Sequence, residues 1–358
     1  METQVKAAIA SSNYKQAHQL LKQWQANDAQ NPLLRFYAAQ LQEKTNRLEA
    51  AEKNYTKLLQ QSSHRKIVSQ ARAGNERIRQ RQQAQKDTAL EEARSVSGGQ
   101  EGAILAIAAP AEEHRTSAIA AIADVFSIDA YAARMKVPSS GFRIHRIGTW
   151  GELSYFQQQL NQANAPAFCT KISDIQDLQT FQVSHFEALS PQPTVICKNA
   201  DGQLGRISFD WSEATQQVRG RLPIFEQVVD LGNWGRTVHK EKVQDYAQVV
   251  DLHLHKREIM LRVCDRFYQY QKGIALGQDN EINSRIKWNK LIATISSSTK
   301  APCKDDFSRF SKSTLEFINL LPAIQPNLDI DRRTPSDWDL AFHLYSSLCY
   351  TSQSASLG

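Results

Sequence analysis

Cysteines in this chain are few and never clustered: Cys169, Cys197, Cys264, Cys303 and Cys349 stand singly, with no Cys-x-x-Cys pair among them. That spacing excludes a disulfide framework and a zinc ribbon and fits a reducing compartment. Three of the five fall inside apolar runs (AFCT, VICK, RVCD), where a thiol serves as a small buried hydrophobe. Long apolar runs are missing too. The longest candidate, AILAIAAPA, is interrupted by Pro110 and stops far short of the roughly 18 residues a membrane span needs. The N-terminal METQVKAAIA lacks a basic-then-apolar leader, so the expected location is cytoplasmic, with peripheral contact to a membrane as the variant to consider. With 15 glycines and 11 prolines against 41% hydrophobic residues, the composition is that of a folded chain and not a disordered one. Its 358 residues suit two or three domains.

Recognisable chemistry is also scarce. There is no glycine-rich phosphate loop and no Ser/His/Asp set in a supporting context. Ser12-Asn13-Tyr14-Lys15 satisfies a Ser-x-x-Lys pattern but falls at a helical-hairpin turn without partner motifs. The expectation is therefore a protein that is not an enzyme and carries no cofactor. One alternative merits testing. Asp251, His253 and His255 alternate along a strand and so share a face, as metal ligands can, with His239 or His185 as the third donor. A metal-dependent hydrolase centred there is the minor reading.

What is present is a repeat. Tyr14, Ala17, Leu21 and Trp24 are echoed by Leu48, Ala51, Tyr55 and Leu58, each pair offset by 34. A fixed period of that length, with a small residue where helices cross, marks stacked helical hairpins. Asn31-Pro32 opens the second unit, with proline where its missing N–H costs nothing. Charge is concentrated in the same region: residues 1–94 hold 16 Lys and Arg against 9 Asp and Glu, and the remainder 27 against 28.

On Ala39, Leu48, Ala51 and Tyr55 this arm resembles the tetratricopeptide repeat, although Arg35 and Phe36 stand where that repeat usually has an early tryptophan. The resemblance implies a groove lined by the first helix of each unit, hence Leu33, Phe36, Gln40 and Glu43 as partner-binding residues. The following helical stretch, residues 64–86, carries Arg65, Lys66, Arg72, Arg77, Arg79, Arg81 and Lys86 with one acid, Glu76, and an apolar seam of Ile67, Ala71, Gly74 and Ile78. Its cations are read as fanning around the free circumference. They are candidates for an anionic membrane surface or an acidic partner. No aromatics interleave with them, which disfavours nucleic acid.

The Arg94–Gly102 break is polar and glycine-bearing. Beyond it, apolar residues 104–108, helical stretches 116–126 and 129–135, a strand at 142–147, a helix at 150–162 and a strand at 167–172 suggest a ferredoxin-like α/β sandwich. The end of this module is similar to part of a sporulation-type repeat, of which only the topology is taken over. From Phe181, alternating runs and a tight Asn199-Ala200-Asp201-Gly202 turn indicate antiparallel strands, a curved sheet closed at one end and C-terminal helices. ISFDWSEATQQVRGRL is similar to a strand motif of pleckstrin-homology-like domains, with Ile207, Trp211 and Val218 as core. Thr334-Pro335-Ser336-Asp337 reads as the start of a last helix whose face is Trp338, Phe342, Tyr345 and Cys349. The expected fold class is multidomain α plus α/β plus β: a helical arm (1–94), a linker (95–102), a ferredoxin-like module (103–178) and a β-rich module with C-terminal helices (179–358). As a whole the chain resembles cyanobacterial proteins that join short tetratricopeptide-like arms to α/β and β-rich modules, which implies an adaptor or assembly factor that binds another protein.

Overall fold

A computed structural model describes residues 1–231, 237–276, 283–328, 330, 332 and 336–357, without the side chains of 227–231, 237–241 and 354–357. The chain is multidomain and mixed α and β, and it divides into two compact units, 1–92 and 93–358.

The first unit is helical: α1 (Glu2–Ala10), α2 (Tyr14–Asn27), α3 (Pro32–Lys44), α4 (Leu48–Gln61) and α5 (Arg65–Ser95), the last of which ends beyond residue 92. Local chemistry sets the helix starts. The Asn13 side chain accepts from the Gln16 N–H at the start of α2, and Asn31 does the same for the Leu33 N–H ahead of α3, with Pro32 in its first position. The 34-residue period extends to the backbone. Both α2 and α4 are 14 residues long and start 34 positions apart. The turns before them place Ser12 and Asn46, again 34 apart, in the left-handed region at φ 59°. Ala17, Leu21 and Trp24 are buried in α2, as are Ala51, Tyr55 and Leu58 in α4.

The third layer of this unit closes on a glycine. Ile67, Ala71, Gly74 and Ile78 form the buried seam of α5, and a Cβ at Gly74 would lie 2.5 Å from the Tyr55 ring. Tyr55, fully buried, donates to Glu43 at 2.9 Å, and Arg77 grips the same carboxylate through Nε and Nη2, both at 2.9 Å. One polar triad thus ties α3, α4 and α5 together. Burial pushes the Glu43 carboxyl up, but the hydrogen bonds from Arg77 and Tyr55 and the Arg77 and Arg81 charges outweigh it and hold it below its ordinary value.

The second unit contains two sheets. A three-stranded antiparallel sheet of order β2-β1-β3 comprises β1 (Gly102–Ala108), β2 (Phe142–Thr149) and β3 (Ala167–Lys171). Around it lie α6 (Arg115–Phe126), α7 (Ala130–Lys136), α8 (Trp150–Gln162) and α9 (Ile172–Asp177). The second sheet has seven strands: β4 (Gln179–Ala188), β5 (Thr194–Lys198), β6 (Leu204–Ser208), β7 (Gln216–Leu231), β8 (Thr237–Leu254), β9 (Ile259–Cys264) and the short β10 (Cys303–Lys304). Helix α10 (Ser284–Ser298) packs Trp288, Leu291 and Ile295 on one of its faces. Between the two sheets lie α11 (Phe307–Ile318) and α12 (Asp337–Leu357). Phe307, Phe310, Phe342 and Tyr345 share one core cluster with Ile104 and Ile144 of the small sheet and with Val218 and Val249 of the large one.

Three expectations change here. The division expected at residue 178 is crossed by that shared cluster, because α12 offers apolar side chains to both sheets at once. The stretch 95–102, read as a linker, folds into a turn, with Gly98 at φ 75° and the Trp150 and Gly151 N–H groups donating to Glu101 and Gly99. The large sheet is mixed and open. Its order is β10-β7-β8-β9-β4-β5-β6, with β4 parallel to β9 and β7 parallel to β10. The chain from Ala188 to Ile259 supplies the long crossover that a parallel pair requires. Thr334 and Pro335, read as part of the last helix start, lie outside the described residues, and α12 begins at Asp337.

Candidate partner-binding cleft

Helix α3 has two working faces. The face expected to receive a partner is occupied by the protein itself. Phe36 is buried against Tyr37 and Tyr55, with ring centroids 5.4 and 6.1 Å away, and Glu43 is 3% exposed inside the Tyr55–Arg77 triad. Leu33 and Gln40 are half-buried. Of the four expected groove residues, two are interior and cannot meet a partner, because the helix phase that places Leu33 at the surface turns Phe36 and Glu43 onto neighbouring helices.

The opposite phase lines a cleft of about 930 Å³. Leu34, Ala38 and Leu41 of α3 make its apolar floor. Tyr14, Lys15, His18 and Lys22 of α2 stand on one side, and Arg47 and Asn54, before and within α4, on the other. Arg35 donates to Gln61 at the end of α4, and Asn54 to Gln42 at 2.8 Å. All residues along the cleft are neutral or basic. The walls are the second helices of the two matched hairpins, so the same repeat that stacks the helices builds the cleft.

Sequence reasoning passed over these residues, yet a signal was there. Lys15, His18 and Lys22 recur at i, i+3 and i+7, which gathers them within about 60° of the circumference of α2 beside its buried Ala17–Leu21–Trp24 stripe.

The basic helix also departs from the reading of a uniform fan. Arg65, Arg72 and Arg79 are spaced by seven, within about 40° of one another. All three are exposed, and none makes an ion pair among the described residues. Lys66 and Arg81 are exposed elsewhere on the circumference, and Arg77 is engaged by Glu43.

Asp251 and His253 lie on β8, and His255, expected on the same strand, opens the 3-10 turn after it. Asp251, His253 and Arg262 are all 0% exposed under α12. Asp251 receives Arg262 bidentately, at 2.8 Å from Nε and 2.6 Å from Nη2. Arg262 also donates to the Pro326 carbonyl and lies 5.1 Å from the centroid of the Phe342 ring. His253 Nε2 pairs with Ser346 Oγ at 3.0 Å. His255 pairs with the Tyr350 carbonyl at 3.0 Å and with Thr215. Burial, then the electrostatic effect of the neighbouring His255 and Arg262, holds His253 well below its ordinary pKa. His185, one suggested third donor, is buried beside Ser184 on β4, and the His239 side chain lies outside the described residues. Among the described residues no group of three or more His, Cys, Asp or Glu side chains is placed to hold a metal ion. Nor is any single described helix long and apolar enough to cross a membrane.

No protein-family model, curated protein or solved structure matches the chain.

Proposed function

We propose that this protein is a non-enzymatic adaptor whose N-terminal unit, read as tetratricopeptide-like, binds a segment of another polypeptide. The second unit, with its ferredoxin-like small sheet and its mixed seven-stranded sheet, presents that bound partner or a second one. The supporting observation is the cleft between the matched hairpins: about 930 Å³, walled by α2 and α4 and floored by Leu34, Ala38 and Leu41. Repeated helical hairpins commonly use such surfaces to hold extended or helical segments. Charge points to the same unit, since residues 1–92 carry 15 basic against 9 acidic side chains and residues 93–358 carry 28 of each. A second reading, attachment to an anionic membrane surface, draws on the exposed Arg65–Arg72–Arg79 row.

Photo-cross-linking from the full chain separates the units. A benzophenone amino acid at Gln42, in the cleft, is expected to capture a discrete polypeptide from native lysate, whereas the same group at Leu204, 71% exposed on β6, captures none. No adduct at Gln42, or the same adduct from both positions, would defeat the assignment.

A further inference from the structure

The cleft also carries information about what fills it. Lys15, His18, Lys22, Arg35 and Arg47 all line it, and no carboxylate does. Like Arg65, Arg72 and Arg79 on α5, and unlike Arg77 at Glu43, these cations meet no acid among the described residues. Arg35 donates to the neutral Gln61, and the side chains of Lys15, His18, Lys22 and Arg47 have no hydrogen-bond or ion-pair partner among the described residues. Lys15, Lys22, Arg35 and Arg47 bring four positive charges to a cleft whose lining holds no acid, so an anion placed among them is favoured. The floor is nevertheless apolar, so an inorganic anion alone would leave Leu34, Ala38 and Leu41 uncovered. From Leu34 to Leu41 the floor runs about 10 Å at helical rise, the span of about three extended residues.

We infer that the cleft takes an acidic polypeptide segment in which carboxylates alternate with apolar side chains, the carboxylates meeting Lys15, Lys22, Arg35 and Arg47 and the apolar side chains covering the α3 floor. This rests on the adaptor reading and specifies the chemistry of its partner. Alternation matters because successive side chains of an extended segment point to opposite sides, which lets one edge face the cationic walls while the other meets the floor. Diffuse attraction to any polyanion would need neither the floor nor the spacing.

The test uses the full chain and fluorescence anisotropy with a labelled peptide of about eight residues alternating glutamate and leucine. Its companions are the same peptide with lysine in place of glutamate and vesicles containing phosphatidylserine. The glutamate peptide is expected to bind, with affinity falling as salt is added. Lys15→Glu together with Lys22→Glu, two exposed positions whose reversal leaves the far-ultraviolet circular dichroism unchanged, weakens it about tenfold or more. Lys15→Arg with Lys22→Arg keeps binding within about twofold, as does Lys300→Glu with Lys312→Glu, both exposed in the second unit. The inference is overturned if the glutamate peptide does not bind, if the lysine peptide binds equally well, if the cleft reversal costs less than about twofold, or if only the vesicles associate. A Gln42 adduct that survives the cleft reversal sinks the acidic-segment inference and leaves the adaptor standing. Absence of that adduct from the unaltered chain sinks the adaptor itself.

Discussion

Replacing Asp251 by alanine is the perturbation that decides whether the Asp251–His253–His255 strand serves structure or chemistry. In the folded protein the Arg262 guanidinium is wholly buried, and Asp251 is its only anionic hydrogen-bond partner among the described residues. With the carboxylate gone, Arg262 keeps one carbonyl, that of Pro326, a long contact of 3.5 Å to His343 and the face of Phe342. Breaking a buried ion pair from one side costs about 3–5 kcal/mol, because a charge is left without an opposite. At a urea dependence of about 3 kcal/mol per molar, a loss of about 4 kcal/mol lowers the unfolding midpoint by about 1.3 M. Tryptophan fluorescence reports it, since Trp288 and Trp338 both lie in this unit. The double replacement Asp251→Leu with Arg262→Met removes both charges and restores most of the loss, as apolar substitutes for buried pairs commonly do. A midpoint shift below about 0.3 M for Asp251→Ala, or a double variant no more stable than the worse single one, would refute the reasoning.

Two further outcomes follow from the same packing. His145, held down to about 4 by burial and then by Lys136, Arg146 and Arg143, and His343, at about 3 through burial and then Arg262, stay neutral in the fold while the unfolded chain protonates near 6.5. The unfolded state therefore binds more protons as pH falls from about 6.5 to 5, and stability declines by up to about 1.4 kcal/mol per pH unit for each histidine; urea midpoints that stay flat or rise over that interval contradict this, and His343→Gln should shallow the slope. At Gly74 an added methyl meets the Tyr55 ring, which its hydrogen bond to Glu43 prevents from swinging away. Overpacking of about 1–3 kcal/mol outweighs a helix-propensity gain of about 1 kcal/mol, so Gly74→Ala should speed amide hydrogen exchange across α4 and α5, and slower exchange there would overturn the packing account.

Much of the helical unit is legible because its signals are local. Asn13 and Asn31-Pro32 announce helix starts within a few residues, and the 34-residue echo in side chains recurs in helix length, burial and the backbone of Ser12 and Asn46. In the second unit, β1, α8 and β3 fall on or within two residues of the runs read from hydrophobic alternation and periodicity. The phase of α3 was not legible. Leu33, Leu34, Phe36 and Tyr37 spread apolar surface over about 160° of its first turns, and Ala38 and Ala39 extend small apolar surface beyond that, so periodicity alone could not say which side meets α4 and α5 and which stays open. The choice falls to Tyr55 and Arg77, which claim Glu43 from other helices.

The period-two spacing of Asp251, His253 and His255 predicted one side of a strand; Asp251 and His253 share it on β8, whereas β8 stops at Leu254 and His255 opens the 3-10 turn that follows. Whether that side would be wet was decided 90 residues later, by α12 laying Phe342, His343 and Ser346 over it. Arg262, unremarkable inside LRVCD, becomes a buried counter-ion only when β9 pairs with β8 and sets it opposite Asp251. Short-range rules of capping, turn geometry and alternation act through neighbouring residues and can be read along the chain. Desolvation and ion pairing depend on which distant segments arrive, so the fate of a charge, buried under α12 or left waiting in the α2–α4 cleft, was settled by packing.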